Sequence, residues 1–314
     1  MTQSRFAEPE PGVVTPRRNR VDLHTHTDRS DGVLAPRDLY AEMRTWGLRV
    51  AAVTDHDTLA GYRELAAAGL GATPGPDGPQ LIAAVEINSV ADDELVRMGV
   101  QLEEGELHIL GFGVDPADDG FELRLSAQRD SRRTRLLLII EALRRLGKPI
   151  DEQIAPYLDG EEALGRPHIA RAMVSAGHVE TVQDAFDSWI DRNGPAYVPR
   201  QGMRTREAIE AIVDAGGLPV LAHYPAAPDQ PELIRLLMGW GLRGLEVHYR
   251  RYLPETLERV RERCAELGLI ATGGSDYHGD GMSYAEAQAT TYVPTEVGER
   301  LLEALGGVAG TPRR

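Results

Sequence analysis

The sequence predicts an α/β fold, either a barrel or an open parallel sheet, interrupted by a helical insertion. Three observations predict it. Short apolar runs of strand length alternate with helical stretches, first from Val21 to Phe112 and again from Leu218 onward. Polar residues recur at the carboxyl ends of these runs, where α/β folds collect functional side chains. Between the halves, from about Ala117 to Gly202, helical patterning continues without a buried-strand run.

Composition bounds the rest. A chain of 314 residues can hold one large domain with an insertion. Its 34 basic and 49 acidic side chains give a net charge of −15, which argues against coating long nucleic acid but leaves room for a short nucleotide. The single Cys264 excludes an internal disulfide framework and reads as a small buried side chain in a helix. No run is apolar enough to span a bilayer. Met1 to Arg20 has no apolar signal core and reads as a disordered leader, so a cytoplasmic protein with no membrane or obligate protein partner is expected. The expected units are a leader (1–20), a discontinuous barrel domain (21–116 and 203–306), a helical insertion over its mouth (117–202) and a flexible tail (307–314).

Taken in order, Val21 to His26 is a short strand that would present His24 and His26 on one face, with Asp31 five residues later near a glycine-marked turn. Pro36 to Gly47 is a helix with Leu39, Met43 and Trp46 near one side and a glycine stop. Val50 to Thr54 is a buried strand delivering Asp55-His56-Asp57. Leu59 to Gly69 is helical, and Gly71 to Pro79 is a loop. Leu81 to Val85 is a strand ending at Glu86, and Leu107 to Phe112 carries His108 inside it. In the insertion, Phe121 to Leu146, Arg166 to Ala176 and Thr181 to Asp191 read as helices. Strands then end at His223, at His248-Tyr249, and at Gly273-Gly274-Ser275-Asp276-Tyr277-His278. Trp46, Trp189 and Trp240 are expected in the core. His178 reads as structural or exposed, and His248 is balanced between a substrate contact and an exposed loop residue.

His24, His26, Asp31, His56, Glu86, His108, His223, Asp276 and His278 thus form a mixed imidazole–carboxylate set without thiolates. That chemistry suits manganese, iron or zinc, and the set is too large for one ion. Two or three divalent ions are expected, manganese first, to clamp a displacement at phosphorus.

These residues also carry a resemblance. Asp22-Leu23-His24-Thr25-His26, Ser30-Asp31-Gly32, Thr54-Asp55-His56-Asp57, Val85-Glu86, Leu107-His108-Ile109, Ala222-His223 and Gly274-Ser275-Asp276-Tyr277-His278 resemble the polymerase and histidinol phosphatase (PHP) superfamily. The insertion, with Gly165-Arg166-Pro167-His168-Ile169-Ala170-Arg171 and Gly194-Pro195-Ala196-Tyr197-Val198, looks like its TrpH/YciV-related nucleotide phosphoesterases. The resemblance implies a distorted (β/α)7 barrel and a trinuclear centre held by the nine residues. It also implies release of the 3′-phosphate of nucleoside 3′,5′-bisphosphates, or 5′→3′ trimming of short RNA. The chain departs from the family pattern where Tyr224 separates His223 from Pro225, and His248-Tyr249-Arg250-Arg251 matches no known role.

The expected chemistry is attack by a metal-bridging hydroxide, with Glu86, Asp31 and His56 in the catalytic set and Glu86 as the bridging carboxylate. A second phosphate needs arginines, for which Arg132, Arg135, Arg166 and Arg200, with His168, are the candidates. A catalytically inactive metal-binding module is the reading from another class; it is disfavoured because no ligand position is lost.

Overall fold

The computed structural model describes residues 19–309, apart from 74–77, 100–105, 159 and 161. The expected leader up to residue 18, the end of the tail and part of the Gly71 to Pro79 loop lie outside the described residues.

Seven strands form one sheet in chain order: β1 (Val21–Asp22), β2 (Val50–Val53), β3 (Gln80–Val90), β4 (Glu106–Phe112), β5 (Leu218–Leu221), β6 (Gly244–Tyr249) and β7 (Ile270–Gly274). The sheet closes on itself into a barrel. Leu23 N donates to Gly273 O at 3.1 Å, Asp276 N to His24 O at 2.8 Å and His26 N to Tyr277 O at 3.0 Å. Gly274 permits this seam, because a Cβ there would stand 2.4 Å from the His24 amide nitrogen.

Two expectations need correction. The strands are not all parallel, since β4 runs against both β3 and β5. Among the described residues the β3–β4 connection holds one five-residue helix, α3 (Asp93–Arg97), too short to cross a sheet face as a parallel return requires. And β3 does not end at Glu86 but continues to Val90, so Glu86 sits mid-strand opposite Leu110, with Asn88 opposite His108. On the alternating face shared by Ile82, Ala84 and Glu86, the first two join Val21, Val50, Leu110 and Val220 in an apolar plug. Glu86 lies above that plug, toward the barrel mouth.

Around the barrel pack α1 (Pro36–Trp46), α2 (Ala60–Ala67), α8 (Thr205–Asp214), α9 (Pro231–Trp240), α10 (Pro254–Glu266), α11 (Tyr284–Ala289) and α12 (Thr295–Ala309). As expected, α1 buries Leu39 and Met43 and stops at Gly47, whose φ of 83° is the left-handed turn glycine favours. Between β4 and α8 lie α4 (Asp119–Arg145), α5 (Asp151–Leu158), α6 (Arg166–Ser175) and α7 (Val182–Ala185), which runs into a π-helical turn, Phe186–Ile190. Asp118 starts α4 by accepting from Phe121 N at 2.8 Å. This helical layer has its own core of Leu136, Ile139, Leu143, Ile154, Ile169 and Met173. The α5 helix goes unforeseen because Pro156, a helix breaker by type, lies inside it. The three tryptophans flank the cores rather than fill them; Trp240 instead carries the Arg206 guanidinium 4.6 Å from its ring centre. Among the described residues no helix is long and apolar enough to cross a membrane.

Candidate metal centre

The barrel mouth brings all nine expected residues together. They fall into three overlapping groups, within each of which one ligand atom per residue lies within 4.8 Å of the others. His26, Asp31, His56 and His278 form one group; His24, His26, Glu86 and Asp276 a second; Glu86, His108 and His223 a third.

Glu86 is common to the last two. Its Oε2 stands 3.1 Å from His24 Nε2 and 3.2 Å from both His26 Nε2 and His56 Nδ1. Its Oε1 stands 2.8 Å from His108 Nδ1 and 3.1 Å from His223 Nε2. A mid-strand carboxylate on the inward face can reach five imidazoles from four other strand segments, which a strand-end position could not do. Asp276 Oδ1 lies 3.4 Å from the Nε2 atoms of His24 and His26. Asp31 faces His278 at 3.3 Å and His56 at 3.6 Å. Its turn depends on Gly32, where a Cβ would meet the His26 carbonyl oxygen at 2.4 Å.

Local backbone follows the site. The three non-glycine residues with positive φ among those described are Asp57 (51°), His223 (28°) and Asp276 (49°), each just beyond β2, β5 or β7. Such strain persists only where surrounding structure fixes it, and it concentrates at functional sites. At His223 the strain accompanies the inserted Tyr224, and a carboxylate holds the backbone: Glu246 Oε2 accepts from His223 N at 2.7 Å.

The donors fit cations. Both ring nitrogens of His26, Nδ1 of His56 and Oδ1 of Asp31 are buried without an aligned hydrogen-bond partner. Such groups are costly unless something else satisfies them. Burial alone would raise the carboxyls of Glu86 and Asp276, yet the surrounding imidazoles hold both well below the usual carboxylate range. Burial lowers His26, but Asp276 and Glu86 outweigh it and push the ring up to about 10. The cluster therefore favours acceptance of positive charge, as protons or as metal.

Above the centre opens a cavity of about 860 Å³, lined on the helical side by Arg132, Arg135, Arg166 and Arg200. Arg132 Nε and Arg200 Nη2 converge on buried Asp57 Oδ2, at 2.5 and 3.1 Å. Arg135 pairs with Glu106 at 3.4 Å and Arg166 with Asp191 at 3.2 Å. Burial and the adjacent Arg132 depress Arg200 to about 10. His168 is not brought to the cavity: it is buried at the start of α6, where its Nδ1 accepts from Gly165 N at 3.1 Å. His178 is held by the Pro149 carbonyl at 2.7 Å, and His248 lies within β6 away from the cavity wall.

Sequence reasoning missed several partners. Glu246 Oε1 is 2.9 Å from His24 Nδ1. Asp22 accepts from Ser275 N and Oγ at 2.8 and 2.7 Å, and Asp55 from Thr27 N and Ser30 Oγ, both at 2.7 Å. Tyr249 Oη donates to Asp276 Oδ2 at 2.9 Å. The available signal was a carboxylate inside an otherwise apolar strand, as in Gly244-Leu245-Glu246-Val247, since such a charge is not buried without a purpose.

A barrel that gathers imidazoles and carboxylates around one mouth belongs to the class of α/β barrels built to hold divalent cations. Within that class, the chain belongs to the PHP domain family, whose sequence profile matches residues 22–197. The match ends before β5, so His223, Asp276 and His278 join the cluster from beyond it. The chain is 28% identical over 287 residues to a 3′,5′-nucleoside bisphosphate phosphatase of Chromobacterium violaceum, covering 87% of this chain and 92% of the relative. It is 31% identical over 273 residues to the 5′-3′ exoribonuclease Rnm of Salmonella typhimurium, covering 82% and 84%. Among solved structures, a Bifidobacterium adolescentis protein provisionally assigned as a metal-dependent phosphoesterase superposes with a TM-score of 0.74 at 31% identity, covering 92% of this chain and 97% of that one.

Proposed function

We propose that this chain is a metal-dependent phosphoesterase acting on nucleotides, releasing the 3′-phosphate of nucleoside 3′,5′-bisphosphates to give the 5′-monophosphate. The observation that carries the reading is Glu86 joined to five imidazoles directly beneath an arginine-lined cavity. The three groups of residues would hold up to three divalent ions, manganese first among them, with Glu86 and His26 each shared by two groups. When bound, such ions polarise a phosphoryl oxygen and make water nucleophilic near neutral pH. The chain's own residues do the remaining work. Arg132, Arg135, Arg166 and Arg200 anchor the distal phosphate and fix the scissile group over the cluster. The helices of residues 117–202 roof the mouth and limit water.

A second reading, 5′→3′ removal of nucleotides from short RNA, is supported by exoribonuclease relatives of 30–31% identity and by the size of the cavity. The deciding assay is phosphate release from adenosine 3′,5′-bisphosphate with manganese and a chelator control. Chelator-sensitive release with AMP as product is expected. Mononucleotide laddering of 5′-phosphorylated RNA without phosphate release would move the function to the second reading.

A further inference from the structure

The segment His248-Tyr249-Arg250-Arg251, unassigned in the sequence, ends at the cavity. Arg250 and Arg251 line it together with Tyr249. The other cavity arginines all have carboxylate partners: Arg132 and Arg200 share Asp57, Arg135 meets Glu106 and Arg166 meets Asp191. Arg250 and Arg251 have none within ion-pair distance among the described residues. In a chain of net charge −15, two guanidiniums kept free of carboxylates at a cavity wall are poised for an external anion.

The segment is also fixed. Tyr249 Oη holds Asp276, Arg250 Nε donates to Ser275 O at 2.7 Å, and Tyr252 N closes a turn onto Tyr249 O at 3.0 Å. Arg251 is thereby carried on a braced loop, its side chain exposed to the cavity. Strand order gives the direction. In a closed ring from β1 to β7, the paired arginines contact Asp57 after β2 and Glu106 on β4, whereas Arg250 and Arg251 follow β6. The two groups occupy opposite arcs of the mouth, with the nine-residue cluster between them.

We propose that Arg251, braced through Arg250 and Tyr249, forms a second anion subsite that binds the phosphate lying beyond the scissile phosphoester, on the side away from the Arg132–Arg200 cluster. This inference rests on the phosphoesterase reading and deepens it. Of the two readings of the reaction it favours the second: a short oligonucleotide carries phosphates on both sides of the cleaved one and gains this contact, which a mononucleoside bisphosphate does not.

The test compares kcat/KM for pAp and for pApAp, in the manganese-loaded parent and in Arg251→Ala, Arg251→Lys and Arg251→Glu. In parallel, equilibrium binding of a hydrolysis-resistant phosphorothioate of pApAp is measured. The parent is expected to prefer pApAp, and Arg251→Ala to lower the pApAp/pAp ratio about tenfold, the scale of one charge-assisted contact. Arg251→Lys should retain part of the preference and Arg251→Glu should lose more of it. A ratio unchanged by Arg251→Ala, or an equal loss on both substrates, overturns the subsite, the latter by assigning Arg251 to the scissile group. A parent that cleaves neither substrate, yet binds the phosphorothioate about tenfold more tightly than Arg251→Ala does, would refute hydrolysis and support the subsite. Equal binding by parent and variant would refute the subsite alone.

Discussion

His24 Nδ1 stands 2.9 Å from Oε1 of Glu246, and neither side chain has exposed surface. A carboxylate can only accept, so Nδ1 carries the proton and Nε2 is turned toward Glu86 and Asp276. The other Glu246 oxygen accepts from the His223 amide. One carboxylate thus serves two donors on two strands. In Glu246→Gln a single carbonyl oxygen remains, and one donor must face an amide NH2. Apparent metal affinity is expected to fall about 10- to 100-fold, with a stability loss of about 1–3 kcal/mol. Calorimetric metal titration and urea denaturation check these values. Unchanged affinity would show that Glu246 does not orient His24.

Glu86→Ala removes the carboxylate common to two of the three residue groups. Turnover is expected to fall by about three orders of magnitude, as loss of several kcal/mol of metal-derived stabilisation implies, and bound metal should drop by at least one ion. The far-ultraviolet dichroism should stay that of the parent, because Glu86 lies above the apolar plug rather than in it. Full activity in this variant would remove the metal-centre reading.

The barrel and the nine clustered residues were legible because each strand end or strand interior shows a polar residue against an apolar run, a local signal. The reversal of β4 was not legible. Antiparallel and parallel strands share the same residue pattern, and only the length and content of the connection separates them. Glu86 was identified, but its mid-strand place was not, since Ile87-Asn88-Ser89-Val90 mixes polar and apolar residues as a loop does. His168 was named from its motif position, which says nothing about which way a helix N-terminus turns its side chains; here the ring turns back onto Gly165. The arginines could be named one by one, but Asp57 as their shared counter-charge is a relation between residues 75 and 143 positions apart.

Metal uptake should release protons. In the metal-free chain, His26 is raised from its ordinary 6.5 to about 10, and His24 is raised well above its ordinary value: burial opposes this, but Glu246, Glu86 and Asp276 prevail. A raised base stabilises the fold fully below its unfolded value, and that contribution is lost as pH climbs from about 6.5 through about 10. Metal replaces those protons, so apparent metal affinity should increase with pH between 6.5 and 9 while metal-free stability declines. Titrations at pH 7.5 in two buffers of different ionisation enthalpy should show net proton release. Release of none would mean that His24 and His26 are already neutral before metal arrives.

Asp57 is the last residue whose removal separates stability from chemistry. It is buried, and both Arg132 and Arg200 point at its Oδ2. Removing one guanidinium leaves the other still paired. Asp57→Ala, by contrast, leaves two buried cations side by side without the carboxylate they share, Glu106 standing 4.0 Å from Arg200. Stripping a buried charge of its partner costs about 3–5 kcal/mol, so Asp57→Ala should destabilise the chain by that amount in urea denaturation. Combining Asp57→Ala with Arg132→Met should recover part of the loss by removing one of the stranded charges. Arg132→Met alone should cost less stability and raise KM for the bisphosphate substrate, because the distal phosphate loses a guanidinium. If Asp57→Ala proves no more destabilising than Arg132→Met, the arginines are held by the helical layer itself, and Asp57 has no part in positioning them.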